Sequence, residues 1–144
     1  MANTTIPVEL SSTPGIVDNS NATAITIDSS ENVTFSGDII TASAGTSNFR
    51  AGVNAGNSIV SGGDYNTVVG DEAGTTGGNN TSVGSISLAA NTTGHSNVAV
   101  GQAALTVSTT GTYNTAVGKS AGEQVSTGVQ NTLIGGLAGD AITT

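Results

Sequence analysis

The feature that most constrains this chain is a five-residue motif, Asn-Thr-x-Val-Gly, which returns at nearly fixed intervals through its C-terminal two thirds. It reads Asn66-Thr67-Val68-Val69-Gly70, Asn80-Thr81-Ser82-Val83-Gly84, Asn97-Val98-Ala99-Val100-Gly101, Asn114-Thr115-Ala116-Val117-Gly118 and Asn131-Thr132-Leu133-Ile134-Gly135. The closing glycines are 14, 17, 17 and 17 residues apart. A degenerate copy, Asn48-Phe49-Arg50-Ala51-Gly52, lies 18 residues before Gly70. The second half of the unit repeats as well. Three residues after each glycine stands a small residue (Ala55, Ala73, Ser87, Ala104, Ala121, Ala138), followed by Gly or Leu (Gly56, Gly74, Leu88, Leu105, Gly122, Gly139). A Thr-Thr-Gly linker, as in Thr92-Thr93-Gly94 and Thr109-Thr110-Gly111, leads back to the next Asn. The 14-residue spacing arises because Gly74 runs directly into Thr75-Thr76-Gly77.

A fixed period of this length is the signature of a solenoid, in which each repeat is one coil and stacking completes the core. The motif supplies a short strand of β-favouring residues, and its glycine can turn a corner at positive φ. The x-x-Ala-Gly/Leu segment reads as a second, tighter strand. The Thr-Thr-Gly segment reads as a turn. Composition supports this assignment over a conventional core, because aromatics are 3%, charged residues 8%, and glycine fills 21 of 144 positions. Small β-branched side chains in columns can still bury a continuous interior, and a mean hydropathy near zero argues against disorder.

Parity along the strand extends the reading to assembly. Val69, Val83, Val100, Val117 and Ile134 form one apolar column. Val68, Ser82, Ala99, Ala116 and Leu133 form a second, smaller column of opposite parity. Two apolar columns imply that one is buried inside the coil and the other against another chain, which predicts a homo-oligomer, most economically a trimer. The residues expected at the core or interface are therefore Val69, Val83, Val100, Val117 and Ile134, together with Ala73, Ala104, Ala121 and Ala138.

Residues 1–46 lack the repeat and form a separate N-terminal β region ahead of the solenoid at 47–144. Ala24-Ile25-Thr26-Ile27-Asp28 and Val33-Thr34-Phe35 alternate apolar and polar residues across a four-residue turn, which predicts a β-hairpin. This region serves as a cap or as a docking element, with Ile6, Val8 and Leu10 as the candidate contact residues.

The unit Tyr113-Asn114-Thr115-Ala116-Val117-Gly118-x-x-Ala121-Gly122 resembles the head repeats of trimeric adhesins, and more closely the repeat arrays of bacteriophage tail fibres and related virion appendages. The stretch from Ile6-Pro7-Val8-Glu9-Leu10 to Val33-Thr34-Phe35-Ser36-Gly37-Asp38-Ile39 is similar to the N-terminal region of phage fibre proteins. The resemblance implies a parallel trimer of left-handed β-roll or prism-like coils. It also implies a structural virion protein whose N-terminal region docks on tail, adaptor or baseplate proteins, while distal parts meet a host receptor. The head fragment of a surface adhesin and a capsid-decorating trimer are the alternatives. An adhesin needs a secretion signal and a membrane anchor. The opening Met1-Ala2-Asn3-Thr4-Thr5-Ile6-Pro7 lacks the basic and apolar regions of a signal peptide, which predicts assembly in a host cytoplasm and residence in the virion. The final Thr143-Thr144 stands where another linker would begin, as expected for the base of a longer fibre.

Little in the chain points to chemistry, and no catalytic, cofactor or metal site is expected. The net charge of −8, with Arg50 and Lys119 as the only basic residues, argues against nucleic-acid binding and against anionic membranes. No apolar run approaches the length of a membrane span. Cysteine is absent. His95, the single histidine, falls in a linker and reads as a surface turn residue. Asp71-Glu72, Glu123 and Asp140 read as solvated charges. Threefold symmetry would be the one route by which a carboxylate reaches a cation. Regular threonine columns can also bind ice, but Thr67, Thr81, Thr115 and Thr132 share the parity of the valine column, which assigns them to a buried or interface position.

Overall fold

A computed structural model describes residues 45–144 in full, together with the backbone of strands 25–27 and 33–35. The chain divides into two units, Met1–Ile39 and Ile40–Thr144. In the first, β1 (Ile25–Ile27) pairs antiparallel with β2 (Val33–Phe35), Thr26 facing Thr34, as the alternation of the two segments anticipates. Ile6, Val8 and Leu10 lie outside the described residues.

The second unit is a β-solenoid. Six three-residue strands, β3 (Phe49–Ala51), β4 (Thr67–Val69), β5 (Thr81–Val83), β6 (Val98–Val100), β7 (Thr115–Val117) and β8 (Thr132–Ile134), form one parallel sheet in chain order. The register follows the repeat, with Thr67 beside Thr81 and Val100 beside Val117. The described residues contain no helix. Each strand ends at a glycine with φ between +122° and +137° (Gly52, Gly70, Gly84, Gly101, Gly118, Gly135). At the interior corners this glycine is required twice over. A Cβ on Gly84 would lie 2.6 Å from the Gly101 carbonyl, so a side chain would prevent the next coil from stacking.

The second strand expected over x-x-Ala-Gly/Leu is not formed, and turns stand in its place. The reason is the backbone. Fourteen non-glycine residues have positive φ, and they fall on three positions of the repeat. One precedes the motif's Asn (Ser47, Tyr65, Asn79, Ser96, Tyr113, Gln130), one lies two after the corner glycine (Asn54, Glu72, Ile86, Ala103, Ser120, Leu137), and the third holds Leu88 and Leu105. Left-handed residues spaced two apart cannot continue an extended strand. Each costs on the order of 1 kcal/mol for a side chain with Cβ. The offset is visible in the hydrogen bonds, because these residues donate their own N–H to a carbonyl of an adjoining coil. Examples are Ser120 to Gln102 at 2.8 Å, Ile86 to Asp71 at 2.9 Å, Leu88 to Ala104 at 3.0 Å and Gln130 to Thr112 at 3.0 Å.

The bore is lined by three columns. The first is the central strand position, where Val68, Ser82, Ala99 and Ala116 are wholly buried. The second is Ala73, Ser87, Ala104 and Ala121, also wholly buried. In the fifth strand's coil both columns carry serine, and the pair is satisfied internally: Ser82 Oγ lies 2.6 Å from Ser87 Oγ, and Ser87 Oγ donates to the Gly84 carbonyl at 2.9 Å. The third column shows how constant volume is kept with changing residues. Where the position after the small residue is Leu, the residue three further on is small and polar: Leu88 with Asn91, Leu105 with Ser108. Where it is Gly in a full-length coil, a branched apolar residue stands there instead: Gly56 with Ile59, Gly122 with Val125, Gly139 with Ile142; in the 14-residue coil Gly74 is followed by Gly77. A Cβ on Gly122 would lie 2.7 Å from Leu133 Cδ1 and 3.5 Å from Val125 Cγ2, so neighbouring side chains already fill that space.

The fourth inward position is the motif's asparagine. Asn48, Asn66, Asn80, Asn97 and Asn114 are buried and linked in a ladder. Each Oδ1 accepts the backbone N–H of the next Asn: Asn48 from Asn66 at 2.8 Å, Asn66 from Asn80 at 2.8 Å, Asn80 from Asn97 at 2.9 Å, Asn97 from Asn114 at 3.0 Å. Nδ2 donates across the coil to a linker glycine carbonyl, Asn97 to Gly111 and Asn114 to Gly128, both at 2.8 Å. Asn66 is the exception. In the 14-residue coil the Gly77 carbonyl accepts from Thr75 Oγ1, and Asn66 Nδ2 is buried without a partner.

Two substitutions test this interior by urea unfolding followed by circular dichroism. Asn97→Ala leaves the Asn114 N–H and the Gly111 carbonyl without their side-chain partner and is expected to cost about 3 kcal/mol. Leu105→Gly opens a cavity and is expected to cost about 2–4 kcal/mol, less the relief of its left-handed strain. Adding Ser108→Val to Leu105→Gly recreates the Gly122/Val125 arrangement and should recover roughly half of that loss.

Candidate interaction surface

The structure settles which of the two apolar columns is interior. Val69, Val83, Val100 and Val117 point outward and are half-exposed, and Ile134 in the last strand is 69% exposed. They do not belong to the bore, which is filled from the opposite parity. Ala73, Ala104 and Ala121 are interior, and Ala138 is half-buried in the last coil. Of the threonines sharing the outward parity, Thr67 and Thr132 are exposed and Thr81 and Thr115 half-exposed. The column is interrupted by Val98.

These residues make one flat outer face of the six-stranded sheet. It carries Phe49, Thr67, Thr81, Val98, Thr115 and Thr132 along one row and Ala51, Val69, Val83, Val100, Val117 and Ile134 along the other. No charged side chain lies on it. Arg50 falls on β3 but at the inward parity, its guanidinium donating to the Ala55 and Gly56 carbonyls at 3.4 and 3.3 Å. Parallel strands about 4.8 Å apart place chemically similar side chains in straight rows, so the face is uniform along the stack.

The charges stand at the corners. Asp71, Glu72 and Lys119 are exposed in the turn after the corner glycine, and Asp140 is exposed in the last coil. Asp64 sits at the opposite corner, where its Oδ1 accepts the Thr46 N–H at 2.7 Å. His95 occupies the same corner. It is exposed, lies 3.2 Å from Ser96 Oγ, and meets Tyr113 edge to face with ring centroids 5.4 Å apart. Both tyrosines, Tyr65 and Tyr113, occupy the same repeat position and are exposed. The contact orients two surface rings.

Among the described residues no three His, Cys, Asp or Glu side chains gather in a way that would hold a metal ion. An open depression of about 310 Å³ lies beside Asn54, Asn57, Ser58, Glu72 and Ala89, with Glu72 as its single carboxylate. No helix of the described residues is long and apolar enough to cross a membrane. Among the described residues the outer sheet face is the most extended uncharged surface. The composition of this face is legible in the two columns of the repeat, whereas parity alone does not say which column faces out. Comparison with protein-family models, with curated proteins and with solved structures finds no match for the chain.

Proposed function

We propose that the protein is a structural component of a bacteriophage virion, the ordered segment of a trimeric tail fibre. In this reading the solenoid is a stiff shaft, the N-terminal region docks on other virion proteins, and distal parts support attachment to the host. The observation that carries the proposal is the uncharged outer face of the sheet, with Val69, Val83, Val100 and Val117 in a straight row and charges displaced to the corners. Burying such a row against equivalent rows of two further copies removes apolar surface from water in every coil. The ladder of inter-coil hydrogen bonds resists bending and shear, as a load-transmitting shaft requires. The likeness of the Tyr113–Gly122 repeat to fibre arrays supplies the virion context.

The strip is narrow. Six strands of three residues cover a footprint of roughly 25 by 10 Å, small beside the ~800 Å² per partner of a stable interface. Six coils alone are thus expected to associate reversibly, with affinity growing as coils are added.

Sedimentation velocity across a micromolar-to-millimolar series should show a monomer–trimer equilibrium. Val100→Lys combined with Val117→Lys should abolish the trimer while leaving the circular dichroism of the solenoid unchanged. A monomer at every concentration would overturn the trimer. Antibodies raised against the protein should decorate the tails of phage particles in electron micrographs, whereas labelling of a bacterial envelope would overturn the virion assignment in favour of an adhesin.

A further inference from the structure

We infer that the solenoid carries a built-in opening point between the coils of β4 and β5, at which the coils of β3 and β4 open together and reclose while the later coils stay shut. The inference concerns the interior of the stack and is independent of whether three chains associate side by side.

The apolar interior is broken at this point. Buried apolar side chains fall into two separate clusters: Ala55, Ile59, Val68 and Ala73 in the coils of β3 and β4, and Leu88, Ala99, Ala104 and Leu105 with the coils beyond. What stands between them is polar. The coil of β5 buries Asn80, Ser82, Ser87 and Asn91 around one apolar side chain, Leu88. Ser82 lies in register between Val68 and Ala99, so a hydroxyl stands where an apolar side chain would join the two clusters. In the 14-residue coil before it, the hydroxyl of Thr75 is also wholly buried.

These polar groups gain little from the neighbouring coil. Ser82 Oγ lies 2.9 Å from the Ser87 carbonyl and 2.6 Å from Ser87 Oγ, and Ser87 Oγ donates to the Gly84 carbonyl at 2.9 Å. All three contacts are local to one coil and survive separation. Asn66 Nδ2 and Asn91 Nδ2, on either side of the boundary, are buried without a partner, and opening gives both to water. The backbone ladder also thins at the second corner. Between the next two coils Leu88, Ala90 and Thr92 donate to the Ala104, Thr106 and Thr109 carbonyls at 3.0, 3.1 and 2.9 Å. Across the boundary Gly74 donates to Ser87 at 3.0 Å, and the Gly77 N–H takes the Asn91 side chain at 3.3 Å. Water reaches this corner from outside. The depression of about 310 Å³ is lined by Asn57 and Ser58 from the coil before the short one, by Glu72 from the short coil and by Ala89 from the coil after it.

In a stack where each coil touches only its neighbours, stability is a sum of coil and interface terms, and the array parts at its weakest interface. The split core, the polar layer, the two unpartnered donors and the thinned ladder all fall on this one. Strand pairing still runs through it. Thr67 donates to the Asn80 carbonyl at 2.9 Å, Gly84 to the Val69 carbonyl at 2.7 Å, and the Asn80 N–H to Asn66 Oδ1 at 2.8 Å. The sheet thus fixes the register to which the open coils return. Two detached coils bury too little apolar surface to stay folded by themselves, so their own bonds and those of the boundary open together.

The test is native-state hydrogen exchange by NMR on the full chain, at urea concentrations below the unfolding transition. The Phe49 and Gly70 amides are bonded between the coils of β3 and β4, and the Thr67 and Gly84 amides across the boundary. These four should share one protection factor and one urea slope. The Thr81 and Gly101 amides, bonded one interface further on, should exchange at least about a hundredfold more slowly. Ser82→Ala combined with Ser87→Ala installs the alanine pair that the next two coils carry as Ala99 with Ala104 and Ala116 with Ala121. It should shrink the step by at least about tenfold. A graded series, with Phe49 faster than Thr67 and Thr67 faster than Thr81, would identify simple fraying and overturn the inference. So would one slope shared by all six amides, or a step left intact in the folded alanine variant.

Discussion

The interaction on which the solenoid depends is the asparagine ladder. Each asparagine is buried, and an isolated buried amide would be a liability of one to several kcal/mol. Stacked in register, the amides become mutual partners: Oδ1 takes the N–H of the next coil, and Nδ2 spans the bore to the linker carbonyl that no strand reaches. The ladder therefore does two things a valine could not. It satisfies backbone groups at the one corner where the chain turns into the sheet, and it makes the satisfaction conditional on register. A slip of one residue would break a bond in every coil at once. The corner glycines enforce the same register sterically, since each lies against the carbonyl of its successor.

That shared geometry explains why the repeat tolerates variation in some places and not in others. The 14-residue coil is informative. Losing three residues brings Thr75 into the bore, where its hydroxyl accepts from Asn80 Nδ2 at 2.8 Å. The ladder itself continues unbroken through Asn66 and Asn80, and the disturbance is confined to Asn66 Nδ2 and its neighbours. By contrast, the exchange of Leu for Gly near the second corner is accommodated without a length change, through a compensating residue three positions on. Vertical hydrogen bonds define the frame, and side-chain volume is traded within it.

Much of this was legible in the sequence, and the limits are physical. The parallel register, the glycine corners and the antiparallel pair of β1 and β2 follow from period and alternation. The segment after each corner glycine reads as extended, because serine, alanine and leucine give no warning that alternate residues are left-handed. Local preference is overridden there by bonds to adjoining coils, as Leu88 and Leu105 show most plainly. The ladder is hidden in the sequence for a related reason. Asn opens the strand motif and reads as its first residue, although its presence in all six units beside apolar columns is a signal that it has a buried partner. Parity identified two columns but carried no sign, since Ala, Ser and Val suit either side. What decides is the third column: Leu105 and Val125 fill the bore from across the coil and leave room only for Ala99 and Ala116.

The same bookkeeping of volume bears on assembly. The inward strand position holds the small Ser82, Ala99 and Ala116 in three coils and the larger Val68 and Leu133 in two others, while a valine or isoleucine stands at the outward position of five of the six strands. With the carboxylates of the described residues kept to the turns, these charges do not oppose contact across the sheet face itself. They oppose contact at the corners, where Asp71 and Glu72 project. Flat approach of one sheet face to another is thus the encounter that buries apolar rows with the least electrostatic repulsion. Because every row runs along the stack, such an encounter is also tolerant of axial sliding by one coil, about 4.8 Å, unless something breaks the uniformity. Val98 in the threonine row and Phe49 at its start are the features that do so. A fixed axial register between copies would therefore rest on these two departures from the repeat, while lateral affinity would rest on the valines that obey it.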